Sequence, residues 1–421
     1  MVKEYYSLYD RMLIKERLYK AFLKVKSAKG AAGVDGQSIE DFAEELQRNL
    51  DMLVGELKEK SYKPKPVKRV EIPKFGGGKR KLGIPSVRDR VVQQALLDIL
   101  QPIFDSEFHP SSYGYRPGRS CHQAIAKAAM FIRKYERQWV VDMDLCKCFD
   151  TLDHDIIIEA FRKRITDGSI LKLLRKFLQS GVMTGKGWEE STTGSPQGGV
   201  ISPLIANVYL DAFDQFMKSR EHRIVRYADD ILVFTRSKRA AENACKQAAR
   251  YLEGKLKLTI NTQKTHVVHS REGVKFLGVV IQRSFIRIQE EKIRRFKGKV
   301  RKITRRNSPV NLEKVIADLN PVYRGFVNYF KIANCKKIFK GLSRWIRRRL
   351  RAKQMVLWKK SKRLHRRLRQ LGYKGEFKAI KMSLWRNAAS PLASFALPND
   401  YLRDLGLFDL SSVRTGIPAS A

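Results

Sequence analysis

Two adjacent carboxylates lie between apolar runs in the stretch RIVRYADDILVFT, residues 223–235. The runs on either side of Asp229 and Asp230 are typical of short strands, so the sequence predicts a β-hairpin whose tip carries both acids. An Asp-Asp pair alone is most often a solvated turn. A second run, WVVDMDL at 139–145, alternates apolar residues with Asp142 and Asp144 and predicts a strand with one acidic face. The fold must therefore accommodate two acidic strands in an apolar framework.

Carboxylates that meet on an apolar framework repel one another, and their pKa values rise unless a cation lies between them. Carboxylate oxygens are hard ligands that suit Mg²⁺ or Mn²⁺. Two such ions about 3.5–4 Å apart can activate an attacking hydroxyl and stabilise a leaving phosphate oxygen. The acidic strands therefore predict a site for two Mg²⁺ ions, with Mn²⁺ as an alternative, and phosphoryl-transfer chemistry.

The net charge of the chain indicates a polyanionic partner. Among 421 residues, 85 Lys and Arg stand against 42 Asp and Glu, a formal net charge of +43, far more than solubility requires. A nucleic acid or an anionic membrane would complement this charge. The chain has no run of 18 apolar residues and a charged N-terminus, and its five cysteines are scattered. We expect a bacterial-type cytoplasmic protein with no membrane partner, with association with the nucleoid as an alternative.

Much of the charge lies in residues 291–370, which hold 28 Lys and Arg but 3 Asp and Glu, or +25 of the +43. Apolar residues at helical spacing, such as Leu312, Val315 and Leu319, predict an α-helical bundle with a basic surface. A basic helix surface usually does no more than face solvent. Here, however, the run WIRRRLRAK at 345–353 has no acids to balance its positive charge. We therefore expect nucleic-acid binding there, with contacts from Arg344, Arg347, Arg348, Arg349 and Arg351.

Before residue 290, helical stretches alternate with strand-like runs. Two further runs of this kind are KRVEI at 68–72 and VKFLGVVI at 274–281. The SPQGG motif at 195–199 is expected to open a helix, because Ser can cap a helix and Pro suits an early helical position. This part of the chain is predicted to be a mixed α/β domain.

Several motifs, in order along the chain, resemble those of the group II intron reverse transcriptase/maturase family. Four of them resemble motifs of a reverse transcriptase palm: Asp144, FD at 149–150, GSPQGGVISPLIANVYL at 194–210 and YADD at 227–230. Closer to the group II intron members are GVDG at 33–36, VEIPKFGGGKRKLGIPSVRDRVVQQAL at 70–96, SSYGYRPGRSCHQAI at 111–125 and FLG at 276–278. The resemblance covers about residues 30–290.

The resemblance implies an α/β (α+β) right-hand polymerase. Fingers and palm with an antiparallel palm sheet would occupy residues 1–290, an α-helical thumb or maturase domain 291–363, and a small DNA-binding-like domain 364–421. In the last of these domains, Trp385 and Arg386 are the expected nucleic-acid contacts. The alternative for Trp385 is that its indole lies in the core of the domain. Many members end in an endonuclease domain with clustered His, Asn and Cys ligands. No Cys follows residue 335 here, so we expect that domain to be absent and priming to use existing DNA ends or replication forks.

The resemblance also implies function. The protein would be an RNA-directed DNA polymerase that extends a primer 3′-hydroxyl with dNTPs, and a maturase that assists group II intron RNA splicing and mobility. Its partners would be group II intron RNA, RNA template and DNA primer, target DNA and dNTPs. One alternative is a non-enzymatic splicing factor, against which the complete set of aspartates argues. Another is a domesticated reverse transcriptase in DNA repair or phage defence, which the palm motifs do not separate from an intron-encoded protein.

Site roles follow from the resemblance, position by position. Asp144 and Asp229 would bind both metal ions with the backbone carbonyl of Leu145, and Asp230 would assist them. Phe149 would lie beneath the nucleotide sugar, where its ring leaves no room for a 2′-hydroxyl. The other expected substrate contacts are Lys68, Lys74 and Arg80 in a fingers hairpin, Gln197 in SPQGG, Lys264 near the triphosphate, and Arg116 as a weaker candidate. Each role has a structural alternative. Phe149 could be a core residue, the fingers hairpin could be basic only because it is solvated, and Lys264 could be an ordinary surface lysine.

Overall fold

The computed structural model describes residues 4–73 and 77–418. The chain forms two compact units, Met1–Ser270 and Arg271–Ala421. The second unit begins before the predicted palm limit at residue 290. The reason is a small sheet at residues 274–288 that is bonded to the helical unit: Ile286 and Asn334 exchange two hydrogen bonds of 2.8 Å.

The first unit mixes helices and strands, as the alternating sequence pattern predicts. Its α-helices are α1 Lys15–Ser27, α2 Ile39–Glu44, α3 Leu46–Lys58, α4 Val87–Asp105, α5 Cys121–Arg133, α6 Cys148–Thr151, α7 His154–Arg162, α8 Gly168–Leu178, α9 Ser202–Ser219 and α10 Lys238–Gly254. Its strands are β1 Val67–Pro73, β2 Lys79–Ile84, β3 Trp139–Met143, β4 Val182–Thr184, β5 Gly187–Glu189, β6 Arg223–Tyr227, β7 Asp230–Thr235 and β8 His266–His269.

The predicted palm sheet has the strand order β6-β7-β3-β8, with each neighbouring pair antiparallel. Strand β3 lies inside the sheet, and Val140, Val141 and Met143 on it are buried. Helix α10 packs against β3 and β7, and α5 packs against β6. Burial of both β3 and β7 fixes their register, because a slip of one residue would turn apolar side chains out of the core.

The predicted fingers hairpin is formed by β1 and β2, in which Lys68 pairs with Ile84 and Ile72 with Arg80. A parallel pairing with β4, which the sequence pattern did not predict, extends it into the sheet β2-β1-β4-β5. Lys74 lies outside the described residues. The expectation for SPQGG is wrong: these residues form a loop, and α9 begins at Ser202.

The second unit combines a small sheet with a helical bundle. Its strands are β9 Val274–Phe276, β10 Val279–Ile281 and β11 Ile286–Ile288, and its α-helices are α11 Glu290–Ile303, α12 Leu312–Phe330, α13 Lys336–Trp358, α14 Ser361–Gln370, α15 Pro391–Ala396 and α16 Asn399–Asp404. The run VKFLGVVI is a hairpin rather than one strand, because Leu277 and Gly278 turn the chain with φ of 45° and 81°. The helical spacing is confirmed, since Leu312, Val315 and Leu319 are buried on α12. Among the described residues, no helix has the length and apolarity needed to cross a bilayer.

The tip of the β6-β7 hairpin lies against the backbone of residues 111–114. Arg226 N–H donates to the Ser111 carbonyl, and Tyr113 N–H donates to the Arg226 carbonyl, each at 2.9 Å. Gly114 comes next, and a Cβ atom there would stand 2.3 Å from the backbone nitrogen of Ala228. Only glycine allows this close approach to the turn.

We predict that Gly114→Ala lowers the free energy of unfolding by about 1–3 kcal/mol, because the added methyl group overpacks the turn. Gly55 in α3 is the matched control, since a Cβ there meets nothing within 4 Å. Gly55→Ala should stabilise by about 0.5–1 kcal/mol through the lower entropy of the unfolded chain. Urea denaturation followed by circular dichroism measures both changes. A Gly114→Ala variant as stable as the wild type would contradict the close approach.

Candidate active site

The turn that carries the acidic pair is tight. Tyr227 pairs with Asp230, so Ala228 and Asp229 alone connect β6 to β7. Ala228 has φ of 57°, a left-handed conformation that a residue with a Cβ atom adopts rarely and at a cost. The hairpin predicted from RIVRYADDILVFT is confirmed, and its strained turn must be held by its surroundings.

Strand β3 brings the other two acids to this turn. Asp142 pairs with Leu232 and Met143 with Ile231, so the chain of β3 reaches Asp144 beside the start of β7 at Asp230. The pKa of Asp230 is raised to about 7, first by partial desolvation of its carboxyl group and then by neighbouring negative charges. Those charges belong to Asp229, Asp142 and Asp144, and with Asp230 these residues are the acidic cluster. Their mutual repulsion is the electrostatic condition that a divalent cation relieves.

The acidic cluster does not by itself form a cage for a metal ion. Within the described ranges, no three His, Cys, Asp or Glu side chains are placed to hold one. Mg²⁺ keeps several waters and is usually bound by one or two carboxylates together with substrate phosphates. Asp144 and Asp229 fit that description, and the remaining ligands would come from water and substrate.

Asp144 is held by the segment that precedes β8. Asn261 Nδ2 donates to Asp144 Oδ2 at 3.0 Å, and Lys264 Nζ lies 3.2 Å from the same oxygen. The Asp144 backbone donates to Thr265 Oγ1 and accepts from Asn261 N–H. The Lys264 ammonium group therefore offsets part of the negative charge of the acidic cluster, and its expected contact with the triphosphate stays a prediction. The pattern NTQKT did not indicate the role of Asn261.

Leu145, the predicted backbone ligand, forms an isolated antiparallel bridge with Ile260. The hydrogen bonds of this bridge come from its neighbours: Cys146 N–H donates to Thr259 O, and Asn261 N–H donates to Asp144 O. In such a non-hydrogen-bonded pair, the carbonyl of the central residue points away from the partner strand. The Leu145 carbonyl is thus not used by the bridge.

A buried arginine, which the sequence analysis missed, supports the strained turn. Arg226 on β6 and Asp214 on α9 are both 0% exposed, and the guanidinium donates three hydrogen bonds of 2.6–2.9 Å to that carboxylate. Its Nη1 also donates to the Ala228 carbonyl at 3.1 Å and to Asn207 Oδ1 at 2.9 Å. Asn207 Nδ2 in turn donates to the Gly114 carbonyl. The sequence signal for this role was the position of Arg226, a charged residue, inside the otherwise apolar run IVRY.

Phe149, on α6, is 6% exposed and belongs to the main hydrophobic core of the first unit, so the structure leaves open both the core role and the nucleotide contact. Its carbonyl accepts from Ser195 N–H at 2.7 Å, which ties α6 to the SPQGG loop. Tyr115, which sequence reasoning did not single out, meets the Phe149 ring edge-on at 6.5 Å and is half exposed. The second tyrosine of YGYRPGR was the sequence signal that could have identified Tyr115.

Two predicted substrate contacts meet directly. Arg80 on β2 donates through Nε to Gln197 Oε1 at 2.9 Å, while Gly83 N–H donates to the Gln197 carbonyl at 2.8 Å. The fingers hairpin and the SPQGG loop therefore form one surface. Lys68 is exposed on β1. Their roles toward substrate stay predictions.

Arg116 differs from the expectation of a substrate contact. Its guanidinium is buried, pairs with Asp105 at 2.7 Å and donates to the backbone carbonyls of Asp105, His109 and Ser112. It also lies over the Phe108 ring. A guanidinium committed to these acceptors has a structural role, bracing the chain that leads to Gly114.

The five arginines predicted to bind nucleic acid have three kinds of surroundings on α13. Arg347 donates to Ser343 and lies 3.8 Å from the Asp409 carboxylate, and Arg351 donates to the Leu397 carbonyl and to Asn399, so both contact the C-terminal segment. Arg344 is exposed. Arg348 and Arg349 lie over the rings of Trp385 and Trp345, respectively.

The sequence of this chain matches two protein-family models. Residues 72–281 match the reverse transcriptase (RNA-dependent DNA polymerase) family, and residues 293–372 match the group II intron, maturase-specific domain. Protein YkfC of Escherichia coli is 36% identical over 291 residues, covering 60% of this chain and 76% of that protein. The chain belongs to the group II intron reverse transcriptase/maturase family.

A second member of the family is the group II intron-encoded protein LtrA of Lactococcus lactis. It is 28% identical over 398 residues, which cover 78% of this chain and 64% of LtrA. This chain therefore spans less than two thirds of LtrA's length. Membership assigns the right-hand polymerase fold, with the sheet β6-β7-β3-β8 as the palm sheet.

For this family member, we predict that Arg226→Met lowers the free energy of unfolding by about 3–5 kcal/mol, because Asp214 would remain buried without a partner. Adding Asp214→Leu should recover most of that loss, since no buried charge remains. Arg223→Met is the control on the same strand: its side chain is exposed, and the change should stay within about 0.5 kcal/mol. Urea denaturation gives all three values. If the single variant matched Arg223→Met in stability, the buried pair would not have the role assigned to it.

Proposed function

We propose that this protein is an RNA-directed DNA polymerase that extends a primer 3′-hydroxyl with dNTPs at the acidic cluster. The observation that carries the proposal is the convergence of Asp144, Asp229 and Asp230 on the palm sheet, with a pKa of about 7 at Asp230. Burial of the Asp230 carboxyl group and the charges of Asp229, Asp142 and Asp144 raise this pKa, and bound divalent cations would relieve the part that comes from charge repulsion.

In this proposal, Asp144, Asp229 and the Leu145 carbonyl would hold two Mg²⁺ ions, for which Mn²⁺ could substitute. Ions held there would lower the pKa of the primer hydroxyl and would offset the charge of the leaving pyrophosphate. The protein's own residues hold the reactants in place. Lys264, 3.2 Å from Asp144, balances the carboxylate before substrate binds and can then approach the triphosphate.

Nucleotide binding is assigned to the surface shared by β2 and the SPQGG loop. Arg80 uses Nε for Gln197, and its terminal nitrogens suit phosphate oxygens because a guanidinium can donate two parallel hydrogen bonds. Gln197 is fixed by the Gly83 bond to its carbonyl and can contact the base pair or template. Lys68, exposed on β1, and Lys74, which lies outside the described residues, are further proposed contacts.

The second unit is proposed to bind RNA as a maturase. Its match to the maturase-specific domain and the charge of residues 291–370 support binding of group II intron RNA and of the template with its DNA primer. Assistance in RNA folding and splicing needs such binding but no catalytic residue of the protein. Target DNA is the remaining proposed partner. A non-enzymatic splicing factor would not need the intact acidic cluster.

We predict that Asp229→Asn abolishes primer extension on an RNA template with dNTPs and Mg²⁺, with a loss of at least about 100-fold, because a metal ligand is removed. The control is Asp51→Asn, whose carboxylate pairs with Lys15 on the surface and should leave extension unchanged. Denaturing gels of a labelled primer measure the rate. A wild type that is folded and binds RNA but does not extend the primer would favour the splicing-factor alternative.

We predict that Phe149→Ala raises the ratio of rNTP to dNTP incorporation by about 10-fold or more, because the ring no longer excludes a 2′-hydroxyl; 10-fold corresponds to about 1.4 kcal/mol. Phe108→Ala is the matched control, since Phe108 is also 6% exposed and loses the same volume. Single-nucleotide incorporation with each sugar measures the ratio within one enzyme, so a loss of stability does not affect it. An unchanged ratio in Phe149→Ala would remove this role.

A further inference from the structure

A pocket in the second unit is lined by arginine and tryptophan side chains. It lies between the C-terminal end of α11, one face of α13 and the short helix that begins at Trp385. Its cavity of about 210 Å³ is lined by Arg301, Arg306, Trp345, Arg348, Arg349 and Trp385, with Ala352 at its wall. We call it the arginine–tryptophan pocket.

The charge of this pocket is uncompensated. No Asp or Glu is among its lining residues, and across residues 4–73 and 77–418 no carboxylate forms an ion pair with any of its four arginines. Burial, followed by the charges of Arg306, Arg301 and Arg348, lowers the pKa of Arg349. Four guanidinium groups held this close destabilise one another, and an anion between them would relieve that repulsion.

The guanidinium of Arg349 is positioned without being neutralised. Its Nε donates to Thr304 Oγ1 at 2.7 Å, and its Nη2 donates to the Thr304 carbonyl at 3.2 Å. Both acceptors are uncharged, so they fix the orientation of the group and leave its charge intact. Its carbon lies 5.4 Å from the centre of the Trp345 ring. The lining is thus ordered in advance, which lowers the entropic cost of binding a ligand.

The aromatic surfaces indicate what kind of anion fits. Trp385 is 45% exposed, and Arg348 lies over its ring at 5.0 Å. An indole that remains open to solvent beside a guanidinium can stack on a flat ring, and nucleobases stack on such aromatic side chains in single-strand binding proteins. A simple inorganic anion or an acidic peptide would use the arginines and leave the indole unused.

We propose that the arginine–tryptophan pocket binds one unstacked nucleotide of a nucleic-acid strand, with the base on Trp385 and the phosphates at Arg301, Arg306 and Arg348. The cavity is larger than the ~30 Å³ occupied by a water molecule and leaves space for a planar base. This inference rests on the proposed nucleic-acid function and adds to it a site that reads an extruded base. A uniform basic surface would grip phosphates without regard to such a base.

The test uses a labelled RNA hairpin with one bulged nucleotide, an identical hairpin with an abasic bulge, and the same pair in DNA. Fluorescence anisotropy with the full chain should show tighter binding of the bulged base by about 5- to 150-fold, the range expected from stacking of one base. A preference in RNA alone identifies an RNA nucleotide, and a preference in both identifies a nucleotide of either sugar. Equal affinity for bulged and abasic hairpins in both series would overturn the proposal.

Variants separate stacking from charge. Trp385→Ala should remove the preference for the bulged base, and Trp385→Phe should keep part of it. Trp188, 57% exposed in the first unit, provides the control, since Trp188→Ala should keep the full preference. If Trp385→Ala retained the preference, the pocket would not be the site of the base.

Arg306→Ala should weaken binding of all hairpins and reduce the slope of log affinity against log salt by about 1. Arg403→Ala is the matched control, because Arg403 is exposed and already paired with Asp400 at 3.0 Å. An unchanged slope in Arg306→Ala would refute the phosphate contact. Primer extension by the wild type is scored separately, so failure of polymerase activity with base preference retained would refute the proposed enzyme and leave the pocket standing.

Discussion

The acidic turn depends on the buried pair of Arg226 and Asp214. A two-residue turn with Ala228 at positive φ is strained, and the pair offsets that strain by fixing the Ala228 carbonyl through Arg226 Nη1. The same guanidinium reaches Asn207, which holds Gly114 under the turn. Buried ion pairs add little net stability compared with apolar packing, but losing one partner is costly. The pair therefore fixes the position of Asp229 more than it stabilises the fold.

The acidic strands were predictable because their signals are local. Alternation in WVVDMDL and the apolar runs around Asp229 and Asp230 are patterns of period two, and both strands form as expected. Arg226 and Asp214 were not predictable, because their partnership joins a strand to a helix and leaves no periodic signal. The structural role of Arg116, which was expected to contact substrate, was not predictable for the same reason: its acceptors are carbonyls that only the folded backbone brings together. The hairpin in VKFLGVVI was missed because Leu277, one of the two turn residues at positive φ, is not a residue type that signals a turn.

The two units handle positive charge in different ways. In the first, Arg226 and Arg116 are buried and paired with carboxylates, so they serve the architecture. In the second, Arg301, Arg348 and Arg349 of the arginine–tryptophan pocket lie over indoles, and within the described residues no carboxylate pairs with them. An anion bound beside these cations would reduce their mutual repulsion. The arginines of the basic bundle therefore occupy distinct environments, of which some contact the C-terminal segment and others line the pocket.

Mn²⁺ binding measured by electron paramagnetic resonance tests directly, without reference to turnover, whether the acidic cluster holds divalent metal ions. The protein is mixed with primer, template and a non-hydrolysable dNTP analogue, and free Mn²⁺ is titrated. We predict two bound ions in the wild type and in Asp51→Asn, and at most one in Asp229→Asn, because Asp229 is shared between both sites. Equal Mn²⁺ binding by wild type and Asp229→Asn would contradict the account, and the repulsion among Asp142, Asp144, Asp229 and Asp230 would need another explanation.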